Sequence, residues 1–105
     1  MSPDFIRAGG ISVNLERCTA RAGRRVLRLT LTEYNLLVCL LRNRGRILSR
    51  RQLLDAAWGE NYRGGERTVD THVGRLRKKL GKAGQRIQTV RGMGYKLDPV
   101  RRRSG

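Results

Sequence analysis

The amino-acid sequence predicts an α+β domain in which a small antiparallel β-sheet is followed by three helices and a C-terminal β-hairpin. Residues 4–31 hold short apolar runs separated by glycines, and the middle of the chain shows helical periodicity with capping signals. Residues 87–97 hold two strand-like runs around a Gly-rich turn. A chain of 105 residues is expected to form one such domain, over residues 4–98.

The charge balance is strongly basic. Lys plus Arg is 24 against 8 for Asp plus Glu, a formal net charge of +16. The excess positive charges repel one another unless a polyanion neutralises them. Nucleic acid is therefore the first expected partner and an anionic membrane surface the second. No apolar run reaches the roughly 18 residues that span a bilayer, and no secretory signal begins the chain. We therefore expect a cytoplasmic protein with no membrane partner.

The N-terminal region is predicted to form three or four antiparallel strands with one wet face. The strand-like runs are residues 5–6, 11–15, 18–20 and 26–29, and their alternation is partial. Gly9, Gly10 and Gly23 separate these runs and are expected in turns.

The first predicted helix begins after Thr32, which we expect to be its N-cap, with Glu33 at the positive helix end. Leu36, Val38 and Cys39 accompany the apolar repeat, so this helix is expected at the centre of the core. The repeat itself is formed by Tyr34, Leu37, Leu40 and Leu41. Gly45 is the expected stop.

The second predicted helix begins at a capping box. In it the Ser49 side chain accepts a hydrogen bond from the N3 backbone amide, and the Gln52 side chain reaches back to the N-cap backbone amide. Its inner side is expected to hold Leu53, Leu54, Ala57 and Trp58, and the helix ends near Gly59. Trp58 is interpreted as a core anchor in preference to a ligand-stacking residue.

The third predicted helix covers residues 67–80 and is amphipathic. Its apolar stripe is Val69, Val73, Leu76 and Leu80, at spacings of four, three and four. The opposite side carries Arg67, Thr71, Gly74, Arg75 and Lys78, and one flank carries Thr68, His72 and Lys79. Such a helix fits a DNA major groove; an ordinary solvated basic helix is the alternative.

Two connecting segments complete the layout. Before the third helix lies a polar, Gly-rich loop that is either a linker or a surface for a protein partner, with Glu60, Asn61, Tyr62 and Arg63. After it, strands at 87–90 and 95–97 flank a turn that places Arg91 near the tip of a hairpin. Strands, three helices and a basic hairpin in this order are the layout of a winged helix-turn-helix domain, whose ribbon follows the DNA backbone or reaches the minor groove.

Four segments in sequence order resemble the effector domain of OmpR/PhoB-type response regulators. They are Leu-Thr-Glu-Tyr-Asn-Leu-Leu at 31–37, Leu-Ser-Arg-Arg-Gln-Leu-Leu at 48–54 followed by Trp58-Gly59, residues 67–73 with 75–80, and Thr-Val-Arg-Gly-Met-Gly-Tyr at 89–95. The resemblance covers about residues 29–97 with the spacing intact. It implies transcription regulation by a winged helix-turn-helix domain that binds double-stranded DNA, without a cofactor.

The resemblance also implies roles for individual residues. Family positions that meet DNA bases or phosphates are occupied by Arg67, Thr68, Thr71, His72, Arg75 and Arg77. Thr89 matches a backbone-contacting position and Arg91 a wing residue directed at the minor groove. We expect base reading mainly by Thr68, Thr71, His72 and Arg75, and phosphate contacts by Arg67, Lys78, Lys79 and Thr89.

Three positions leave alternatives open. Arg77 lies on the other flank of the helix beside Asp70, so a structural ion pair is an alternative to a phosphate contact. His72 either contacts DNA or packs on the margin of the core. Gly74 departs from relatives that carry a larger side chain there, which removes a possible contact and costs the helix about 1 kcal/mol relative to Ala.

The resemblance implies partners that this chain does not contain. The family binds direct-repeat half-sites as tandem pairs, and the loop at Glu60, Asn61, Tyr62 and Arg63 matches a segment that can face RNA polymerase. A complete regulator carries a receiver domain, phosphorylated by a histidine kinase in a two-component phosphorelay. No such domain precedes the predicted sheet, so the chain is expected to be an excised domain or a stand-alone DNA binder of the bacterial nucleoid.

Other function classes fit the sequence less well. A sequence-indifferent nucleoid or ribosome-associated protein would suit the net charge, but an RNA-binding sheet would want exposed aromatics, and the strands offer Phe5 and Tyr95. One histidine, no paired acids and no nucleophile motif argue against an enzyme. Cys18 and Cys39 lack metal spacing, so no metal is expected, and both are expected to be half-buried thiols. Residues 99–105 form a predicted basic, disordered tail.

Overall fold

A four-stranded antiparallel sheet begins the fold in the computed structural model, which describes residues 4–98. Its strands are β1 (Phe5–Ala8), β2 (Ile11–Asn14), β3 (Thr19–Ala22) and β4 (Arg25–Leu27), paired in sequence order. Glycines in the left-handed region make the β1–β2 and β3–β4 turns, with φ of 52° at Gly9, 88° at Gly10 and 60° at Gly23. The predicted sheet is confirmed, and side chains on one face are buried while those on the other stay wet.

Helix α1 (Leu31–Arg42) is central to the core, but its N-cap is Thr30. The Thr30 Oγ1 atom accepts from the Glu33 amide at 3.2 Å, and the Glu33 carboxylate accepts from the Thr30 amide at 2.9 Å. The prediction of Thr32 as N-cap was wrong, because only Thr30 places Glu33 at N3, where its carboxylate can close a capping box. The helix ends with Asn43 as C-cap, and Gly45 follows with φ of 84°.

Helices α2 (Arg50–Trp58) and α3 (Arg67–Leu80) follow. The capping box at the start of α2 is confirmed by hydrogen bonds of 3.0 Å to Ser49 Oγ and 2.8 Å to Gln52 Oε1. The apolar stripe predicted for α3 is confirmed as well: its four members are all buried in the described structure. The other face of α3 is consequently free to meet a partner.

A 3₁₀ helix (Gly81–Arg86) separates α3 from the hairpin, and the sequence did not predict it. Two glycines of this segment have different roles. Gly81 takes a φ of 65° as the C-cap of α3, whereas Gly84 lies against the backbone of Arg77, where a Cβ atom would clash. The 3₁₀ helix thus lies directly against the C-terminal part of α3.

The hairpin consists of β5 (Ile87–Val90) and β6 (Gly94–Leu97), which together form the predicted wing. Strand β6 is attached along its length to the segment before α2: the Leu48 and Tyr95 backbones exchange hydrogen bonds of 2.7 and 2.9 Å, and the Gly45 amide donates to the Leu97 carbonyl at 2.8 Å. Gly94 has a φ of 144°, and a Cβ atom there would clash with the Leu48 carbonyl. Close backbone approach therefore requires glycine at this position.

The core lies between the sheet, the three described α-helices and the wing. Leucine dominates it, with Leu36, Leu37, Leu40, Leu41, Leu53, Leu54, Leu76 and Leu97 fully buried. This arrangement confirms the winged helix-turn-helix fold. Within residues 4–98, no helix combines the length and apolar character required to cross a bilayer. The predicted tail at 99–105 falls outside the described residues.

Candidate nucleic-acid interface

The solvent-facing side of α3 is basic and open. Arg67, Thr71, Gly74, Arg75 and Lys78 are exposed along it, with Thr68 half-buried at its edge. Neither Arg75 nor Lys78 forms an ion pair with any side chain in residues 4–98. The arc predicted from helical periodicity is therefore present, and it carries uncompensated positive charge.

His72 packs on the margin of the core, which is one of the two roles left open by the sequence. Its Nδ1 atom lies 2.8 Å from the Thr68 carbonyl oxygen, and because a carbonyl only accepts, Nδ1 carries the proton. The ring also meets the Trp58 ring edge-on at 4.9 Å and an interplanar angle of 89°. His72 thus packs on the margin of the core with its ring orientation fixed, yet it remains only half-buried.

Arg77 binds the wing rather than Asp70. Its Nε and Nη2 atoms donate to the Ile87 carbonyl at 3.0 and 2.6 Å, and Nη2 also donates to Thr89 Oγ1 at 2.8 Å. The guanidinium lies 5.5 Å from the centroid of the Tyr95 ring. The anticipated ion pair with Asp70 is absent from the described residues, so the structural alternative for Arg77 survives with a different partner.

Asp70 accepts two hydrogen bonds from residues that sequence reasoning missed. Arg50 Nε donates at 2.7 Å from the start of α2, and the Tyr95 hydroxyl donates at 2.5 Å from the wing. Burial alone would raise the pKa of Asp70, but these hydrogen bonds and the Arg50 charge outweigh it, so the pKa lies below its ordinary value. Burial and the adjacent carboxylate raise the pKa of Tyr95.

Lys79 points away from the open face of α3. Its ammonium group lies 2.6 Å from Glu33 Oε1 on α1, and Glu33 is only 2% exposed. Burial raises the pKa of Glu33, but Lys79 and Thr30 together lower it below the ordinary value. The expected phosphate contact conflicts with this geometry, because the Lys79 ammonium group is paired with Glu33 on α1.

The end of α3 is also held by a residue of the sheet. Arg25 on β4 donates from Nη1 to the Lys79 carbonyl at 2.9 Å and from Nη2 to the Leu80 carbonyl at 3.1 Å. These carbonyls lack partners within the helix, and a cation favours the negative helix end. No sequence signal identified Arg25, because a contact across 54 positions depends on the tertiary fold.

The wing presents its tip to solvent. Arg91 and Met93 are exposed in the turn, and Gly92 takes a φ of 77°. Thr89 is exposed on β5, although its hydroxyl already accepts from Arg77. Arg91 is therefore the basic residue that the wing offers at its end, as predicted.

The loop before α3 is only partly free. Tyr62 is half-buried, and its ring centroid lies 5.9 Å from that of Trp58, whereas Glu60, Asn61 and Arg63 are exposed. Trp58 itself packs against the core, as interpreted from the sequence.

The two cysteines differ in exposure. Cys39 is half-buried as expected, but Cys18 is exposed, contrary to expectation.

Comparison with known proteins identifies the family. The family model described as "Transcriptional regulatory protein, C terminal" matches residues 23–97. Sensory transduction protein RegX3 of Mycobacterium tuberculosis is 40% identical over 101 residues, covering 93% of this chain and 44% of the relative. The phosphate regulon regulatory protein PhoB of Rhizobium meliloti is 45% identical over 96 residues, covering 90% and 42%.

A solved structure agrees with this assignment. The Klebsiella pneumoniae RstA DNA-binding domain in complex with the RstA box superimposes with a TM-score of 0.80 at 32% identity, covering 91% of this chain and 98% of that one. The chain spans less than half the length of these two curated relatives. It belongs to the transcriptional regulatory proteins of the OmpR/PhoB type and corresponds to their C-terminal winged helix-turn-helix effector domain.

Proposed function

We propose that this chain binds double-stranded DNA sequence-specifically and regulates transcription as the output domain of a two-component response regulator. The observation that carries the proposal is the open face of α3, where Arg67, Arg75 and Lys78 are exposed beside a wing with Arg91 exposed near its tip. A helix of this kind fits the major groove, and a basic hairpin fits the flanking backbone or minor groove. The RstA complex with its box supports the same use of the shared fold.

The residues divide by what they can reach. We assign base reading to Thr68, Thr71, His72 and Arg75, phosphate contacts to Arg67, Lys78 and Thr89, and the minor-groove contact to Arg91. Arg77 and Lys79 are removed from direct DNA contact in this proposal, because their charged groups bind the wing and Glu33. Arg75 is the strongest base-reading candidate, since a free guanidinium can bind the O6 and N7 atoms of guanine together.

The wider biological setting follows from the family and is part of the proposal. A receiver domain, phosphorylated by a histidine kinase, would promote pairing of two domains on direct-repeat half-sites. The exposed Glu60, Asn61 and Arg63, with Tyr62 beside them, would face RNA polymerase. Such a regulator would work at the nucleoid in the bacterial cytoplasm.

The competing function is binding to any nucleic acid through charge alone, which the net charge of +16 would suit. Selection of bound duplexes from a random DNA pool separates the two. Specific recognition should return a repeated motif, bound at least roughly 10³-fold more tightly than random duplex. A pool without a motif would leave the charge-driven function in place.

The Arg75→Ala variant tests the assignment of the reading face. We expect it to cost roughly 1–3 kcal/mol on the selected motif and to relax specificity at one base pair. Arg24→Ala is the matched control, because Arg24 is an exposed arginine in the β3–β4 turn of the sheet. Equal losses on the motif and on random duplex would reassign Arg75 to a phosphate contact.

A further inference from the structure

Four side chains join α3, the recognition helix of the proposed function, to the wing. We call them the Asp70 cluster: Arg50, Asp70, Arg77 and Tyr95. Asp70 accepts from Arg50 at 2.7 Å and from the Tyr95 hydroxyl at 2.5 Å. The Arg50 and Arg77 guanidiniums lie 5.7 and 5.5 Å from the centroid of the Tyr95 ring. Tyr95 is itself 4% exposed, so the cluster surrounds a nearly buried ring.

The cluster attaches the wing to α3 at two separate points. Asp70 binds the β6 residue Tyr95, while Arg77 binds the β5 residues Ile87 and Thr89. Arg77 lies seven positions after Asp70, which is about 10 Å along the helix axis. One attachment would fix a distance between helix and wing, but two along the same helix also fix the angle between them.

Attachment of the wing does not itself require these polar contacts. The hairpin is already held along β6 by backbone hydrogen bonds of Leu48 and Gly45, and its side chains Ile87 and Leu97 are buried in the core. Polar groups taken from water add little net stability, because desolvation offsets much of their attraction. They are directional, however, and so they restrict geometry more than they add stability.

We propose that the Asp70 cluster sets the orientation of the wing tip relative to the reading face of α3, so that Arg91 and Arg75 can engage adjacent grooves together. Its members are positioning residues that act through Arg91. This inference rests on the proposed function for its DNA readout, but the orientation itself can be measured without DNA.

A double-mutant cycle on the selected motif tests the proposal. In the natural sequence, Arg91→Ala removes one charge-assisted contact and should weaken binding about ten-fold. In a Tyr95→Phe background, which keeps the ring but removes the hydroxyl that binds Asp70, the same change should weaken binding only about two-fold, because the tip is no longer held in place.

Tyr34→Phe provides the matched control, since Tyr34 is also a buried tyrosine but lies on α1. In that background, Arg91→Ala should keep its full ten-fold effect. If the tyrosine variants acted only through a general loss of stability, the Arg91→Ala effect would be the same in both backgrounds. An equal Arg91→Ala effect in all three backgrounds would overturn the proposal.

Residual dipolar couplings of the free protein give the readout that is independent of DNA. With Tyr95→Phe, the couplings of β5 and β6 amides should no longer fit one rigid frame with those of α3, whereas Tyr34→Phe should leave a single frame. A single frame in Tyr95→Phe would overturn the positioning role. If no motif is selected by the natural chain, the proposed function fails, and these couplings still decide whether the cluster orients the wing.

Discussion

The two ends of the recognition helix are held by different kinds of polar contact. Towards its N-terminus, Asp70 and Arg50 form an ion pair whose side chains are 38% and 35% exposed. Towards its C-terminus, Lys79 pairs with Glu33, a carboxylate that is 2% exposed. A carboxylate surrounded by protein depends on its partner far more than one that water can reach. The C-terminal contact is therefore expected to affect stability, and the N-terminal contact to affect geometry.

Lys79→Met should have the largest effect, on the free energy of unfolding. It leaves Glu33 buried with only the Thr30 amide as a partner. Breaking a buried ion pair costs about 3–5 kcal/mol, and because Lys79 is itself over a third exposed, we expect a smaller loss of about 2 kcal/mol. Urea denaturation measures it.

The adjacent residue supplies the control. Lys78 is exposed and has no ion-pair partner in residues 4–98, so Lys78→Met should change the unfolding free energy by less than about 0.5 kcal/mol. On DNA the order should reverse: Lys78→Met lowers the salt slope by about one unit, and Lys79→Met leaves it unchanged. Equal stabilities of the two variants would contradict the stabilising role of the Lys79–Glu33 pair.

Gly74→Ala tests the stretch between the two anchored ends. Gly74 is exposed, and a Cβ atom there would meet nothing within 4 Å. Alanine should therefore raise the unfolding free energy by about 1 kcal/mol through helix propensity alone. Gly84→Ala is the contrasting variant, because its Cβ atom would clash with the Arg77 backbone and destabilise the domain. Loss of stability in Gly74→Ala would mean that α3 needs a flexible centre.

The smallest expected effect is on the pH dependence of stability. The pKa values of Glu33 and Asp70 both lie below their ordinary values in the folded chain. Folding therefore gains stability from them above the ordinary carboxyl pKa, and that gain is lost as the pH falls through the folded values. Glu33→Gln and Asp70→Asn should each reduce the loss of unfolding free energy that occurs as the pH falls into the acid range.

At neutral pH these two variants should differ in their affinity for DNA. Asp70→Asn should weaken binding to the selected motif, whereas Glu33→Gln should not, since Glu33 lies behind α3 on α1. Weaker binding by both variants would indicate that the two carboxylates act only through overall stability.

Local signals in the sequence were enough to predict the order and type of the α-helices and strands. Helical spacing identified α3 because its four apolar residues occupy one face of a single element. The N-cap of α1 was misassigned by two residues, since both Thr30 and Thr32 are good caps and only the reach of the Glu33 side chain distinguishes them.

The connections between elements could not be predicted in the same way. Lys78 and Lys79 are neighbours with the same chemistry, and only the packing of α3 on α1 turns one to solvent and the other to Glu33. Arg50 and Arg77 became partners of Asp70 and of the wing through contacts between residues at least ten positions apart. Periodicity assigns a side chain to a face of its own helix, but it does not identify what lies opposite.

The close contact of Gly94 with Leu48 has a consequence for redesign of the wing. It fixes the turn end of β6 to the backbone before α2, while residues 91–93 remain exposed in the turn. Insertions at this tip should be tolerated, because the ends of the loop are held independently of its length. The wing is thus a place where new loop sequences can be grafted without repacking the domain.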